Sequence, residues 1–115
     1  MEALGRLNNV IPLADGTYIN LKDGAGVQFI CYLAAAAGDT YTLTEATTAA
    51  GGSAAVLTTI TRYHTSTGDG TDAWTKRTQA AASTVVTAAA ATQNGMVVEV
   101  DGAELSDGFD YVKLA

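Results

Sequence analysis

Apolar and polar residues alternate in short runs along this chain, and most runs are closed by Gly, Asp or Asn. The chain is organised around Ala25–Leu33, then Ala34–Gly38, then Asp39–Glu45. This stretch reads as two β-strands joined by a short turn. In the second strand Tyr41, Leu43 and Glu45 point one way, while Thr40, Thr42 and Thr44 point the other. The first is more evenly apolar, as expected of a strand buried on both faces or lying in the middle of a sheet. The remaining strands are expected to lie against this central pair.

The flanking segments give shorter elements. Val10–Leu13 reads as an edge strand, because Pro12 has no N–H to offer a central ladder. Ala14–Gly16 is a turn, Thr17–Leu21 a strand, and Lys22–Gly24 a second turn with Gly24 able to take positive φ. Ala46–Ala55, centred on Gly51 and Gly52, reads as a flexible loop. Val56–Ser66 is β-branched and aromatic, so a strand; Thr67–Asp72 turns the chain and Ala73–Thr78 returns it as a hairpin. The alanines of Gln79–Gln93 suit a helix, but Thr84–Thr87 suits a strand, and a strand flanked by loops is the reading adopted. Asn94–Gly95 opens a strand over Met96–Val100, and Asp101–Gly108 is a compact turn with room for one helical turn at Ala103–Ser106. In the last run, Phe109, Tyr111 and Lys113 share one face, and Asp110, Val112 and Leu114 the other. About eight short strands separated by turns predict an all-β fold: an antiparallel β-sandwich or partly open barrel. Residues 1–9 lack a pattern and read as an extended N-terminal arm, with 10–115 forming a single β domain.

Composition sharpens this picture. The 115 residues are 48% hydrophobic, but much of that is alanine, which buries little area. Charged residues are only 16%, so the surface must be rich in Thr, Ser, Gly and Ala. That balance is closer to a β-rich extracellular, adhesive or virion protein than to a cytosolic enzyme. Net charge is −6, which disfavours nucleic acid as a partner. Lys76–Arg77 is the only basic pair and reads as a solvated strand end. No hydrophobic run is long enough to span a bilayer, so no membrane partner is expected. The first residues lack an apolar signal core, which points to synthesis in a cytoplasm.

Candidate chemistry is sparse. Cys31 is the only cysteine, so no internal disulfide forms, and its apolar neighbours Ile30 and Tyr32 suggest a buried thiol rather than a nucleophile. His64 is the only histidine, and no Gly-x-Ser-x-Gly turn accompanies it. Zinc would need more His or Cys ligands than the chain has. Asp69 and Asp72 in a Gly-rich loop, or Asp101, Glu104 and Asp107 near the C-terminus, could offer oxygens to calcium, but the closing glutamate of an EF-hand is missing. Nothing selects a carboxylate pair for glycoside hydrolysis. Trp74, Tyr63 and Tyr18 could form a sugar-stacking platform, against core or inter-subunit packing for each. The expectation is a protein that is not an enzyme and takes no cofactor and no metal.

Two stretches carry a resemblance: Val97–Leu114, and Ala37–Ala54, with Trp74–Lys76 between them. Together they resemble the capsid cement, or head decoration, proteins of tailed bacteriophages, over most of the chain from about Ile11 to the end. The resemblance implies a structural virion protein on the outer surface of the assembled head. Its partner would be the major capsid protein, bound where subunits meet, and it would be a homo-oligomer, with a trimer expected. The arm and an edge strand would make the contacts, through Leu4, Arg6, Leu7 and Ile11, with Trp74 as a further interface residue. The alternatives are another virion subunit, in the tail tube or in head completion, and a carbohydrate-binding module on the particle surface.

Overall fold

The computed structural model describes residues 11–32, 38–67, 70–87 and 94–115. Strands follow in the order β1 (Ile19–Asn20), β2 (Gly26–Tyr32), β3 (Thr40–Ala46), β4 (Ala55–Val56), β5 (Ile60–Ser66), β6 (Thr75–Ala82), β7 (Thr84–Val86), β8 (Gly95–Asp101) and β9 (Tyr111–Leu114). A 3-10 turn at Gly102–Glu104 follows β8, and no α-helix occurs among the described residues. Every strand pairing among the described residues is antiparallel. The fold is all-β, two sheets packed as a sandwich.

The first sheet runs β1-β9-β3-β4, with β7 also on β3; the second runs β2-β8-β5-β6. β3 is the hub of the first sheet. On one side Thr42 and Ala115 exchange backbone hydrogen bonds and Leu43–Ala46 pair with β9. On the other side β7 pairs with Thr40–Thr42 and β4 with Thr44 and Glu45. The handover falls at Leu43, whose N–H donates to the Ser83 carbonyl (2.7 Å) and whose carbonyl accepts from the Leu57 N–H (3.0 Å).

The core lies between the sheets, where alternate side chains of each strand meet. Leu43, Val85 and Val112 come from the first sheet; Ile60, Met96, Val98 and Val100 come from the second; Leu21, Leu57 and Leu114 complete the cluster. Glu45 is also buried, and its carboxylate is held from a loop: the Ser106 N–H donates to Oε2 (2.8 Å) and the Ser106 hydroxyl to Oε1 (2.5 Å). A buried carboxylate without such donors would be costly.

One side of the sandwich is closed by a corner. The β5–β6 register shifts between Ile60 and Arg62, and the extra β6 residues bend the strand. Gln79 fills the irregularity, its Nε2 donating to the carbonyls of Ile60 (3.1 Å) and Thr84 (3.0 Å). β6 then passes through Ser83 into β7, moving the chain from the second sheet to the first. At the opposite side β1 and β2 end the two sheets, and the Leu21–Ala25 link joins them.

Several sequence expectations change. β2 and β3 are strands, but they lie in different sheets and do not pair. Among the described residues β2 is an edge strand, not a central one. Its apolar character misleads because Ile30 and Tyr32 face solvent, while Val27, Phe29 and Cys31 face the core. Ile11–Leu13 forms no strand and lies exposed. The strand expected over Thr17–Leu21 shrinks to Ile19–Asn20, and the Val56–Ser66 run divides into β4 and β5. Positive φ falls at Gly16 (78°) and not at Gly24. Gln79–Ala82 continues β6 instead of forming a loop, because Gln79 supplies the bonds that the bend leaves open. The 47–54 loop is held closed by Thr47 N–H donating to the Gly52 carbonyl (2.8 Å). The strand expected at Thr84–Thr87 is present as β7, and the last strand turns Val112 and Leu114 inward as its alternation predicts. The arm over residues 1–9 lies outside the described residues.

Leu43 is fully buried at the hub. Leu43→Ala is expected to lower the unfolding free energy by roughly 3–5 kcal/mol, read from the urea midpoint at constant m-value.

Candidate functional site

The outer face of the second sheet is built by strand phase. On β8, Met96, Val98 and Val100 turn inward, so Val97 and Glu99 turn out. On β5, Thr65 is buried and Tyr63 packs on the core, so Arg62, His64 and Ser66 turn out. On β2 the outward set is Gln28, Ile30 and Tyr32. Register then aligns Ile30, Val97, His64 and Lys76 in one row across all four strands. In a second row Gln28 Nε2 donates to Glu99 Oε1 at 2.6 Å.

Trp74 completes this face from the β5–β6 connection. It can lie over β8 because the residue beneath is Gly95; a Cβ there would come within 3.0 Å of Trp74 Cη2. The connection itself is held by Asp72, whose carboxylate accepts from the Thr67 N–H (3.0 Å), the Thr67 hydroxyl (2.7 Å) and the Ser66 hydroxyl (3.0 Å). The result is a shallow open depression of about 350 Å³ lined by Gln28, Ile30, His64, Trp74, Val97 and Glu99. Three large apolar side chains stand exposed on this face: Ile30 at 66%, Tyr32 at 76% and Trp74 at 50%. Such a patch is broad and flat, which suits contact with a macromolecular surface better than enclosure of a small substrate.

The sequence-expected residues are scattered. Trp74 belongs to this face, whereas Ile11, 58% exposed, lines a larger open cleft along β2 that meets the face at Gln28, Ile30 and Glu99. Leu4, Arg6 and Leu7 lie outside the described residues. The three aromatics of a possible sugar platform do not converge. Tyr63 packs on the core, and Tyr18 lies against Gly51, with Lys113 Nζ 4.8 Å from its ring centroid. Asp101 and Glu104 cap the 3-10 turn: Ala103 N–H donates to Asp101 Oδ1 (3.2 Å), and Asp101 N–H donates to Glu104 Oε2 (3.1 Å). Asp69 lies outside the described residues, among which no three His, Cys, Asp or Glu side chains group as a metal site requires. Cys31 is half-buried on the inner side of β2; burial, and then the Asp15 carboxylate, push its thiol pKa up. A raised pKa leaves less thiolate near neutrality, the opposite of an activated nucleophile.

Sequence reasoning missed Ile30, Tyr32, Val97 and Gln28 as members of this face. One signal was present: Gln28 shares the phase of Ile30 and Tyr32, and a glutamine in an apolar strand marks its outward side. Comparisons with protein-family models, with curated proteins and with solved structures found no match.

Two outcomes follow from this geometry. Gly95→Ala is expected to push Trp74 off β8 and shift its emission to longer wavelength; the chain holds no other tryptophan to obscure the reading. The pH profile of Cys31 alkylation in the folded protein should lie at higher pH than that of the urea-unfolded chain.

Proposed function

We propose that this chain is a structural virion protein, a capsid cement protein bound to the outer surface of an assembled phage head. The observation that carries the reading is the open apolar face formed by Ile30, Tyr32, Val97 and Trp74 on the antiparallel second sheet. The resemblance of Ala37–Ala54 and Val97–Leu114 to head decoration proteins supplies the identity of the partner, the major capsid protein. Such a protein acts on no bond. It binds a surface that exists only after assembly, and thereby stabilises the assembled state by mass action. Leu4, Arg6 and Leu7 of the arm, with Ile11 just after it, add contacts, and several weak contacts made together hold far better than one.

A second reading draws on Trp74 beside Gln28, Glu99 and His64. An aromatic ring next to hydrogen-bonding side chains is the pattern of a carbohydrate subsite. On that reading the exposed face would touch glycans of a host surface.

Mixing the purified protein with bare, expanded heads separates the two. Saturable binding is expected, weakened at least about tenfold by Ile30→Asp combined with Trp74→Ala, with circular dichroism unchanged. No saturable binding to heads sinks the cement assignment. Glycan binding lost on Trp74→Ala, without head binding, establishes the second reading instead.

A further inference from the structure

The second sheet ends in two edges of opposite character. β6 carries Lys76 and Arg77, charges of the kind that keep an edge from pairing with another chain. β2, Gly26-Val-Gln-Phe-Ile-Cys-Tyr32, carries no charge and no proline over seven residues. Among the described residues it pairs only with β8. Its phase is set at one end, where the Gly102 N–H donates to the Ala25 carbonyl (2.8 Å). Carried along the β2–β8 register, this directs the backbone groups of Val27, Phe29 and Cys31 toward β8 and those of Gln28 and Ile30 away from it. An edge strand with outward backbone groups and no gatekeeping charge is a template for a further strand.

We propose that β2 pairs antiparallel with β2 of a second copy of this chain, about a twofold axis at Phe29. The phase requires outward backbone groups to meet outward ones, and centring the pair on the middle of the seven-residue strand gives the longest overlap: Gln28 of each copy faces Ile30 of the other, Phe29 faces Phe29, and Val27 faces Cys31. Directly opposed residues share a face of the joined sheet. Val27, Phe29 and Cys31 are all inward, and Gln28 and Ile30 are both outward, so this register preserves the inside and outside of both copies. No like charges meet, because the strand has none. The two sheets become one continuous sheet, and the inner side of β2, half-exposed along an open cleft of about 1950 Å³, gains a neighbour.

A second copy is favoured over an unrelated strand because the edge matches itself in phase and facing and carries no charge to repel its copy, as an isologous interface requires. A twofold contact also differs from the threefold assembly that the phage resemblance implies. The inference concerns the edge of the sheet and not its outer face, so it stands or falls separately from head binding.

Val27→Cys tests it directly. Val27 and Cys31 of one chain are about 13 Å apart along the strand, too far to bridge. Across the proposed axis they form a non-hydrogen-bonded pair with Cα atoms about 4.5 Å apart, within disulfide reach. Mild oxidation of Val27→Cys with diamide is expected to give a covalent dimer on a non-reducing gel, while wild type and Gln28→Cys, whose new thiol faces the other way, give none. Sedimentation of the unmodified protein should report a dimer. Amide exchange at Gln28 and Ile30 should slow at least about tenfold as concentration rises through the monomer–dimer transition. A chain that stays monomeric at all concentrations, a trimeric mass without the Val27→Cys crosslink, or crosslinking of Gln28→Cys in its place overturns the proposal. Head binding by a monomer would overturn this contact while leaving the cement reading intact.

Discussion

Everything in this fold depends on β3 being bonded along both edges while its inward side chains are buried. Leu43 is where these demands coincide. Its side chain is fully enclosed, its N–H is taken by Ser83 and its carbonyl by Leu57, so β7 and β4 can share one edge of β3 between them. β9 occupies the other edge. A buried backbone without partners would cost as much as the apolar burial returns, so these pairings and the core form together.

The sandwich uses only one face of each sheet. The second sheet turns Met96, Val98 and Val100 into the core and leaves the alternate positions to water. Ordinary soluble strands fill those positions with Thr, Lys or Glu; here they include Ile30, Tyr32 and Val97, with Trp74 laid over Gly95. The apolar face therefore adds little to the fold. An exposed apolar face of this kind costs solubility unless something covers it.

The acidic residues make the complementary point. An excess of carboxylates invites thoughts of metal or acid–base chemistry, yet several of these groups are engaged in local architecture. Glu45 anchors the Ser106 loop, Asp72 ties the β5–β6 connection, and Asp101 with Glu104 caps the 3-10 turn. A carboxylate that accepts backbone and hydroxyl hydrogen bonds in a loop is doing what a cap does, satisfying donors that the turn cannot.

Local pattern by itself determined most of the element types, though not the strand over Gln79–Ala82 or the absence of one at Ile11–Leu13. Alternation in Thr40–Glu45 and Phe109–Leu114, β-branched runs at Ile60–Ser66 and Met96–Val100, and the turn residues between them specify short antiparallel strands, because period-two burial and turn chemistry act over neighbouring residues. Trp74 was legible as a candidate interface aromatic, but whether the core or the surface takes it was not. Partner choice was not legible. Whether β2 lies beside β3 or at the far edge of another sheet depends on which distant strand offers a matching ladder, here β8, about seventy residues away in the chain. The interaction face followed that choice: Ile30, Val97, His64 and Lys76 form a row only once β2, β8, β5 and β6 are in register. Apolarity reports that a side chain avoids water, but not whether the fold or a partner removes it, and that distinction belongs to the tertiary structure.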